Sequence, residues 1–143
     1  MSKPLILNDS IRHFMYNLHE RFKSTSHKEP FMRILITGAS GTIGSALLKQ
    51  LGEQPERHDI TVFDIETRQS RRLFSSCQNR ITVIFGDITC QDDVDAACRD
   101  QDVIIHLAAI IPPLADRCPD LAHRVNVDGT RHVLSAMQRL SPG

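Results

Sequence analysis

A chain of 143 residues, 41% hydrophobic and 24% charged, is sized for one domain and can bury about two thirds of its extended surface. Its 17 Lys and Arg balance its 17 Asp and Glu, so it lacks the electrostatic footprint of a protein whose main partner is nucleic acid or an anionic membrane. No run of 18 apolar residues, collagen repeat or low-complexity tract occurs, and the N-terminus has no signal-peptide pattern. Cys77, Cys90, Cys98 and Cys118 show no C-x-x-C spacing. They predict no metal site, and they fit a cytoplasmic protein with reduced, mostly packed cysteines.

Residues 1–31 read as an extension to a domain at 32–143. Ile11, Phe14, Met15, Leu18 and Phe22 fall on one face of a helix over 11–23, with Asp9 or Ser10 able to cap it. Ser24 to Pro30 reads as a linker. The helix either docks a partner or another copy, or it packs on its own domain or stays poorly ordered.

From residue 33 strands and helices alternate. Arg33–Thr37 is an apolar strand that ends in glycines. Ile43, Leu47 and Leu51 recur every four residues as a helix stopped by Gly52 and Pro55. Ile60–Asp64 is a second strand, Arg68 to Phe74 a short helix or turn, and Ile81–Phe85 a third strand. Thr89-Cys90-Gln91-Asp92 resembles a capping box, with Asp92 replacing the usual Glu, and opens a helix through Cys98. Val103–Leu107 is a fourth strand, and Pro119 to Leu140 a longer helix. Continuously apolar strands alternating with helices predict an α/β fold, a parallel sheet covered on both faces.

The chemistry concentrates in Thr37-Gly38-Ala39-Ser40-Gly41-Thr42-Ile43-Gly44, between the first strand and the first helix. In a G-x-x-G-x-x-G turn the first glycine permits a tight turn. The second lets backbone approach a pyrophosphate, and the third lets the helix pack closely. The helix N-terminus then aims N–H groups at the phosphates, and the Ser40 and Thr42 hydroxyls can add contacts. Asp64 ends the next strand 20 residues after Gly44, where an acid accepts hydrogen bonds from the adenosine ribose. The other reading of Asp64 is a cap for the turn Asp64–Thr67. A carboxylate there repels a 2′-phosphate, which favours NAD over NADP, although Arg68, Arg71 and Arg72 form a small basic cluster just beyond it.

This stretch resembles the T-G-x-x-G-x-x-G signature of extended short-chain dehydrogenases/reductases, and more narrowly the NAD-dependent epimerase/dehydratase family. Three further segments match in order over about 32 to 140: Gly86-Asp87-Ile88-Thr89, His106-Leu107-Ala108-Ala109 and Asn126-Val127-Asp128-Gly129-Thr130. The resemblance implies a partial doubly wound, Rossmann-like sheet of strand order 3-2-1-4. It implies that Asp87 and Ile88 meet adenine and that Leu107, Ala108 and Ala109 run beside the ribose and pyrophosphate. The candidate cofactor site is therefore Gly38, Ser40, Gly41, Thr42, Ile43, Gly44, Asp64, Asp87, Ile88, Leu107, Ala108, Ala109 and Asn126. His106, inside an apolar strand, reads as a packed histidine. Asn126 and Gly129 are poor helix residues, and their presence in one points to a packing or functional reason.

The resemblance also implies a catalytic Tyr-x-x-x-Lys pair with a nearby Ser or Thr, beyond the long helix. The only tyrosine, Tyr16, is followed four residues later by Glu20, so no catalytic residue is expected within these 143. The chain thus reads as the NAD(P)-binding part of an epimerase/dehydratase-like oxidoreductase, or else as a non-catalytic dinucleotide sensor or partner-binding module. In the order 3-2-1-4 the fourth strand lies at an edge with no proline or lysine to blunt it. The 103–107 edge is expected to pair with a second copy or partner chain, unless Leu5-Ile6-Leu7 adds as a strand or the 11–23 helix covers it.

Overall fold

The computed structural model describes residues 31–51, 58–77 and 80–140. The 11–23 helix, the 24–30 linker, Leu5–Leu7, the Gly52–Pro55 helix stop and Tyr16 lie outside the described residues. The chain divides between Phe31 and Met32, and every described element belongs to the unit Met32–Gly143.

The elements in chain order are β1 (Met32–Thr37), α1 (Thr42–Leu51), β2 (His58–Asp64), α2 (Arg68–Ser75), β3 (Thr82–Phe85), α3 (Gln91–Cys98) and β4 (Val103–His106). Then come α4 (Leu114–Arg117), α5 (Pro119–His123), a π-helical turn (Arg124–Asp128) and α6 (Gly129–Leu140).

Ile34, Leu35, Ile36 and Thr37 of β1 are wholly buried on both faces, as a strand inside a parallel sheet must be. The sheet has four strands in the order β3-β2-β1-β4, all parallel. Thr37 pairs with Phe63 and His106, and Asp64 with Phe85, so all four strands end at the same edge. β1 lies between β2 and β4, where the strand order reverses, and this is where a parallel α/β sheet opens a crevice for a ligand. β4 has one neighbour and stands at an edge of the described sheet. The main core cluster joins Leu35 and Phe63 of the sheet to Val94, Ala97 and Cys98 of α3 and to Val133 and Ala136 of α6. Burying each of the larger aliphatic side chains contributes about 1.5–3 kcal/mol. Among the described residues, no helix is long and apolar enough to cross a membrane.

Three local expectations change. The capping box at Thr89–Asp92 does not form. Cys90 takes the N-cap position of α3 without a side-chain bond, because Thr89 is drawn to Asp87: its N–H and its hydroxyl both donate to Asp87 Oδ1 at 2.8 Å. A capping box forms at α2 instead, where Thr67 Oγ1 accepts from Ser70 N at 3.0 Å and Ser70 Oγ accepts from Thr67 N at 2.9 Å. The long helix is broken. Helical structure begins at Leu114 and passes through the π turn before α6 runs to Leu140. Finally, of the four free cysteines only Cys98 is buried; Cys90 and Cys118 are exposed.

Candidate functional site

The glycine turn connects β1 to α1. Gly38 holds φ at +68° and donates its N–H to Phe63 O at 3.0 Å, tying the turn to the end of β2. A Cβ on Gly38 would lie 2.6 Å from the backbone of Ala108. A Cβ on Gly44 would lie 2.5 Å from Ala39 Cα and 2.7 Å from Gly38 O. Both positions therefore exclude a side chain for reasons internal to the fold. Gly41 differs. A Cβ there would meet only Gly38 O, at 3.3 Å, and the residue opens α1 by accepting Ser45 N–H at 2.9 Å. Among the described residues, that one oxygen is all a Cβ at 41 would meet, and a shift of a few tenths of an ångström would relieve it.

Asp64 ends β2 at 8% exposure. Its Oδ2 accepts from Ser40 N at 2.7 Å and its Oδ1 from Ile65 N at 2.8 Å. A carboxylate offers about four acceptor positions, so both oxygens retain capacity for an incoming hydroxyl. Of the basic residues beyond it, Arg71 is paired with Glu66 at 2.7 Å.

A cleft opens where the strands end. Gly38, Ser40 and Gly41 line it from the turn, Phe63, Asp64 and Ile65 from the end of β2, and Gly86, Asp87 and Ile88 from beyond β3. Leu107, Ala108, Ala109 and Ile110 line it beyond β4, and Val125 reaches it from the π turn. The structure thus brings together Gly38, Ser40, Gly41, Asp64, Asp87, Ile88, Leu107, Ala108 and Ala109 from the candidate set. Thr42, Ile43, Gly44 and Asn126 lie outside this lining. Phe63, Ile65, Gly86 and Ile110 are lining residues that the sequence reading missed, although each adjoins a residue it named. Val125, beside Asn126, carries only the signal of an apolar helix position.

Of the residues that miss the lining, Gly44 and Asn126 have structural work. Asn126 Oδ1 accepts from Ile110 N at 2.7 Å and its Nδ2 donates to Ile110 O at 2.8 Å, so it clamps the segment beyond β4. Gly129 lets α6 approach Ile88, whose Cγ2 would lie 3.0 Å from a Cβ. Those contacts supply the physical reason for two poor helix formers in one helix.

His106 closes a bonded chain behind this wall. Its Nδ1 is 2.7 Å from Thr37 Oγ1, and its Nε2 is 3.1 Å from Thr130 Oγ1. Thr37 Oγ1 accepts from Leu107 N at 3.1 Å and Ala108 N at 3.2 Å, and Thr130 Oγ1 donates to Asn126 O at 2.7 Å. Burial pushes the His106 pKa below its ordinary value of 6.5. Among the described residues, no group of three or more His, Cys, Asp or Glu side chains could hold a metal ion.

The sequence model of the 3-beta hydroxysteroid dehydrogenase/isomerase family matches residues 35–141. The 3 beta-hydroxysteroid dehydrogenase type 7 of Rattus norvegicus is 30% identical over 112 residues, 78% of this chain and 33% of its own. The decarboxylating sterol-4-alpha-carboxylate 3-dehydrogenase of Candida albicans is 32% identical over 116 residues, 78% of this chain and 32% of its own. The chain therefore spans about a third of the length of these relatives. Among solved structures, the dTDP-glucose 4,6-dehydratase DesIV of Streptomyces venezuelae, with NAD and TYD bound, superposes with a TM-score of 0.64 and is 28% identical. That match covers 76% of this chain and 36% of the dehydratase.

Proposed function

Because the chain belongs to the 3-beta hydroxysteroid dehydrogenase/isomerase family, we propose that its cleft binds a nicotinamide dinucleotide, NAD in preference to NADP, as the cofactor-binding part of an alcohol-oxidising enzyme. The observation that carries this reading is Gly41. Of the three glycines it is the one whose Cβ the described packing resists least, and it lines the same cleft as Asp64, whose Oδ2 accepts from the neighbouring Ser40 N. A pyrophosphate needs backbone without a Cβ at such a place, beside the N–H groups that open a helix.

The residues fit the group. Gly38, Ser40 and Gly41 would hold the pyrophosphate at the N-terminus of α1. Asp64 would accept the ribose hydroxyls with the acceptor capacity that Ser40 N and Ile65 N leave free, and its charge disfavours a 2′-phosphate. Asp87 and Ile88 would flank the adenine, while Leu107 to Ile110 form the wall beyond β4. When bound, the dinucleotide supplies hydride acceptance. The chain's own part is to bind and orient it.

The 143 residues contain one tyrosine, Tyr16, with Glu20 rather than lysine four positions on. General acid–base help is worth roughly 10²- to 10⁴-fold, and this reading assigns it to residues outside the chain. The substrate class proposed with it is a hydroxysteroid or sterol, as in the relatives' names, and the compartment proposed is the cytoplasm. Pairing of a second copy or another chain along Val103–His106 belongs to the same proposal, since that strand lies at the sheet edge. The alternative is a non-catalytic dinucleotide-binding sensor or partner-binding module.

Calorimetric titration of the chain with NAD and NADP tests the reading. It expects NAD to bind more tightly. No heat with either dinucleotide would overturn it, and tighter NADP binding would show that the arginines beyond Asp64 outweigh its charge. Any hydride transfer by the purified chain alone would contradict the assignment of the acid–base group elsewhere.

A further inference from the structure

We propose that His106 is a positioning residue that holds the Leu107–Ile110 wall of the cleft, and that it does so only as the neutral imidazole, so that dinucleotide affinity falls on acidification. The inference rests on the reading of the cleft as a dinucleotide site.

The hydrogens can be assigned one by one. A threonine hydroxyl has one hydrogen to donate and two lone pairs to accept with. Thr37 Oγ1 already accepts from Leu107 N and Ala108 N, so its hydrogen goes to the remaining partner, His106 Nδ1, at 2.7 Å. Nδ1 is therefore bare, and Nε2 carries the ring hydrogen. Nε2–H donates to Thr130 Oγ1 at 3.1 Å, and the Thr130 hydroxyl donates to Asn126 O at 2.7 Å. Leu107 N–H is shared between Thr37 Oγ1 and the Thr37 carbonyl, each at 3.1 Å, and every other donor of the set is used once. The imidazole thereby joins two clamps on one segment. Thr37 grips Leu107 and Ala108, while Asn126 grips the N–H and C=O of Ile110.

A second ring hydrogen breaks this order. Protonated Nδ1 would point N–H at an oxygen that keeps its own hydrogen and has both lone pairs occupied. Thr37 Oγ1 must then release Ala108 N–H or its share of Leu107 N–H, or His106 must turn away and release Thr130. Either change moves backbone that lines the cleft.

No ion pair among the described residues compensates. At the opposite strand ends, Arg33 of β1 and Asp102, just before β4, bond each other with Nη2 2.9 Å from Oδ1. In the π turn, Asp128 pairs with Arg131 at 2.9 Å and lies 3.6 Å from His123 Nδ1, while Arg124 is exposed. On α6, His132 Nδ1 lies 3.0 Å from Ile88 O. Burial alone lowers the His106 pKa, in the direction the bonding requires.

The test combines calorimetry with NMR on the full chain, titrated with NAD between pH 7.5 and pH 5. Affinity should weaken several-fold across the range, approaching tenfold per pH unit below the His106 titration. His106→Gln, whose amide does not titrate, should bind with a nearly pH-independent affinity; a merely structural role would lower affinity equally at every pH. In the unaltered chain, ¹⁵N shifts should place the ring hydrogen on Nε2. By linkage, NAD should move the His106 titration to lower pH. A hydrogen on Nδ1, an unmoved titration, or a His106→Gln chain that keeps the acid loss would overturn the inference. If His106→Gln does not fold, the ¹⁵N measurements decide alone. Absence of NAD binding at every pH would sink the functional reading and this inference together, whereas an affinity unchanged across the His106 titration that the ¹⁵N shifts follow would sink the inference only.

Discussion

The three glycines of the turn should respond to substitution in two different ways. In Gly44→Ala the new methyl would sit 2.5 Å from Ala39 Cα, 2.7 Å from Gly38 O and 2.8 Å from Ala39 C. All three are backbone atoms of the same turn and cannot rotate aside, so the cost is that of overpacking a rigid site, about 3 kcal/mol. Gly38→Ala adds the strain of φ +68° to a 2.6 Å approach to Ala108 and should cost at least as much. Gly41→Ala meets one oxygen at 3.3 Å and changes an N-cap glycine to alanine, a loss of about 1 kcal/mol or less. For a unit of this size each kcal/mol is worth about 4 °C of Tm. Thermal unfolding followed by circular dichroism should therefore show Gly44→Ala losing about 12 °C and Gly41→Ala less than about 4 °C. Gly41→Val should fold yet bind NAD at least about tenfold more weakly, a loss of about 1.4 kcal/mol. If Gly41→Val binds as the unaltered chain does, or Gly44→Ala melts where the unaltered chain does, the division of labour among the glycines is wrong.

Asp64→Asn should weaken NAD by about tenfold, the worth of a charged hydrogen bond, and narrow the preference over NADP; an unchanged ratio by calorimetry would remove Asp64 from the ribose. His106 makes stability pH-dependent. Its folded pKa lies below the ordinary 6.5, so as pH falls through 6.5 the unfolded chain takes up a proton that the folded chain refuses, and stability drops until the folded imidazole titrates. Denaturant midpoints should fall from pH 7 to pH 5 by more in the unaltered chain than in His106→Gln, and equal falls would refute the sign argument. Burial pushes the Cys98 thiol up to about 11, with Asp95 adding to it, whereas Cys90 and Cys118 are exposed. Alkylation at pH 8 read by mass spectrometry should label Cys90 and Cys118 and spare Cys98 until the chain unfolds.

The sheet was legible because its signal is redundant. Ile34–Ile36 and Val62–Phe63 are apolar and buried at the centres of β1 and β2, as strands covered on both faces must be. The order β3-β2-β1-β4 came from the resemblance, not from any strand's own residues. Local hydrogen bonding was harder to read, because each polar residue had competing partners. Thr89 could cap α3 or bond Asp87, and the shorter reach to Asp87 won. Ser70 at the third position of α2 does a capping task usually given to Glu or Gln, and its hydroxyl also reaches Ile65 O, five residues back, at 2.8 Å, a bond outside the capping-box pattern. The π turn escaped for a similar reason, since Leu121, Val125 and Val133 fit an unbroken helix. What sets it apart is Asn126 gripping Ile110, 16 residues upstream. His106 was legible as a packed side chain, but its two threonine partners come from β1 and α6 and meet it only in the folded chain.

The central claim is that a dinucleotide lies across the ends of β1, β2 and β4, with its pyrophosphate at Gly41. Backbone amide NMR of the ¹⁵N-labelled chain, titrated with NAD near neutral pH, tests this most directly. The account predicts that the largest shift changes fall on Gly38, Ser40, Gly41, Ile65, Ile88, Ala108 and Ala109, while amides at the opposite strand ends, such as Arg33 and Asp102, stay still. Shift changes absent from the Gly38–Gly41 turn, or concentrated away from the cleft, would contradict it.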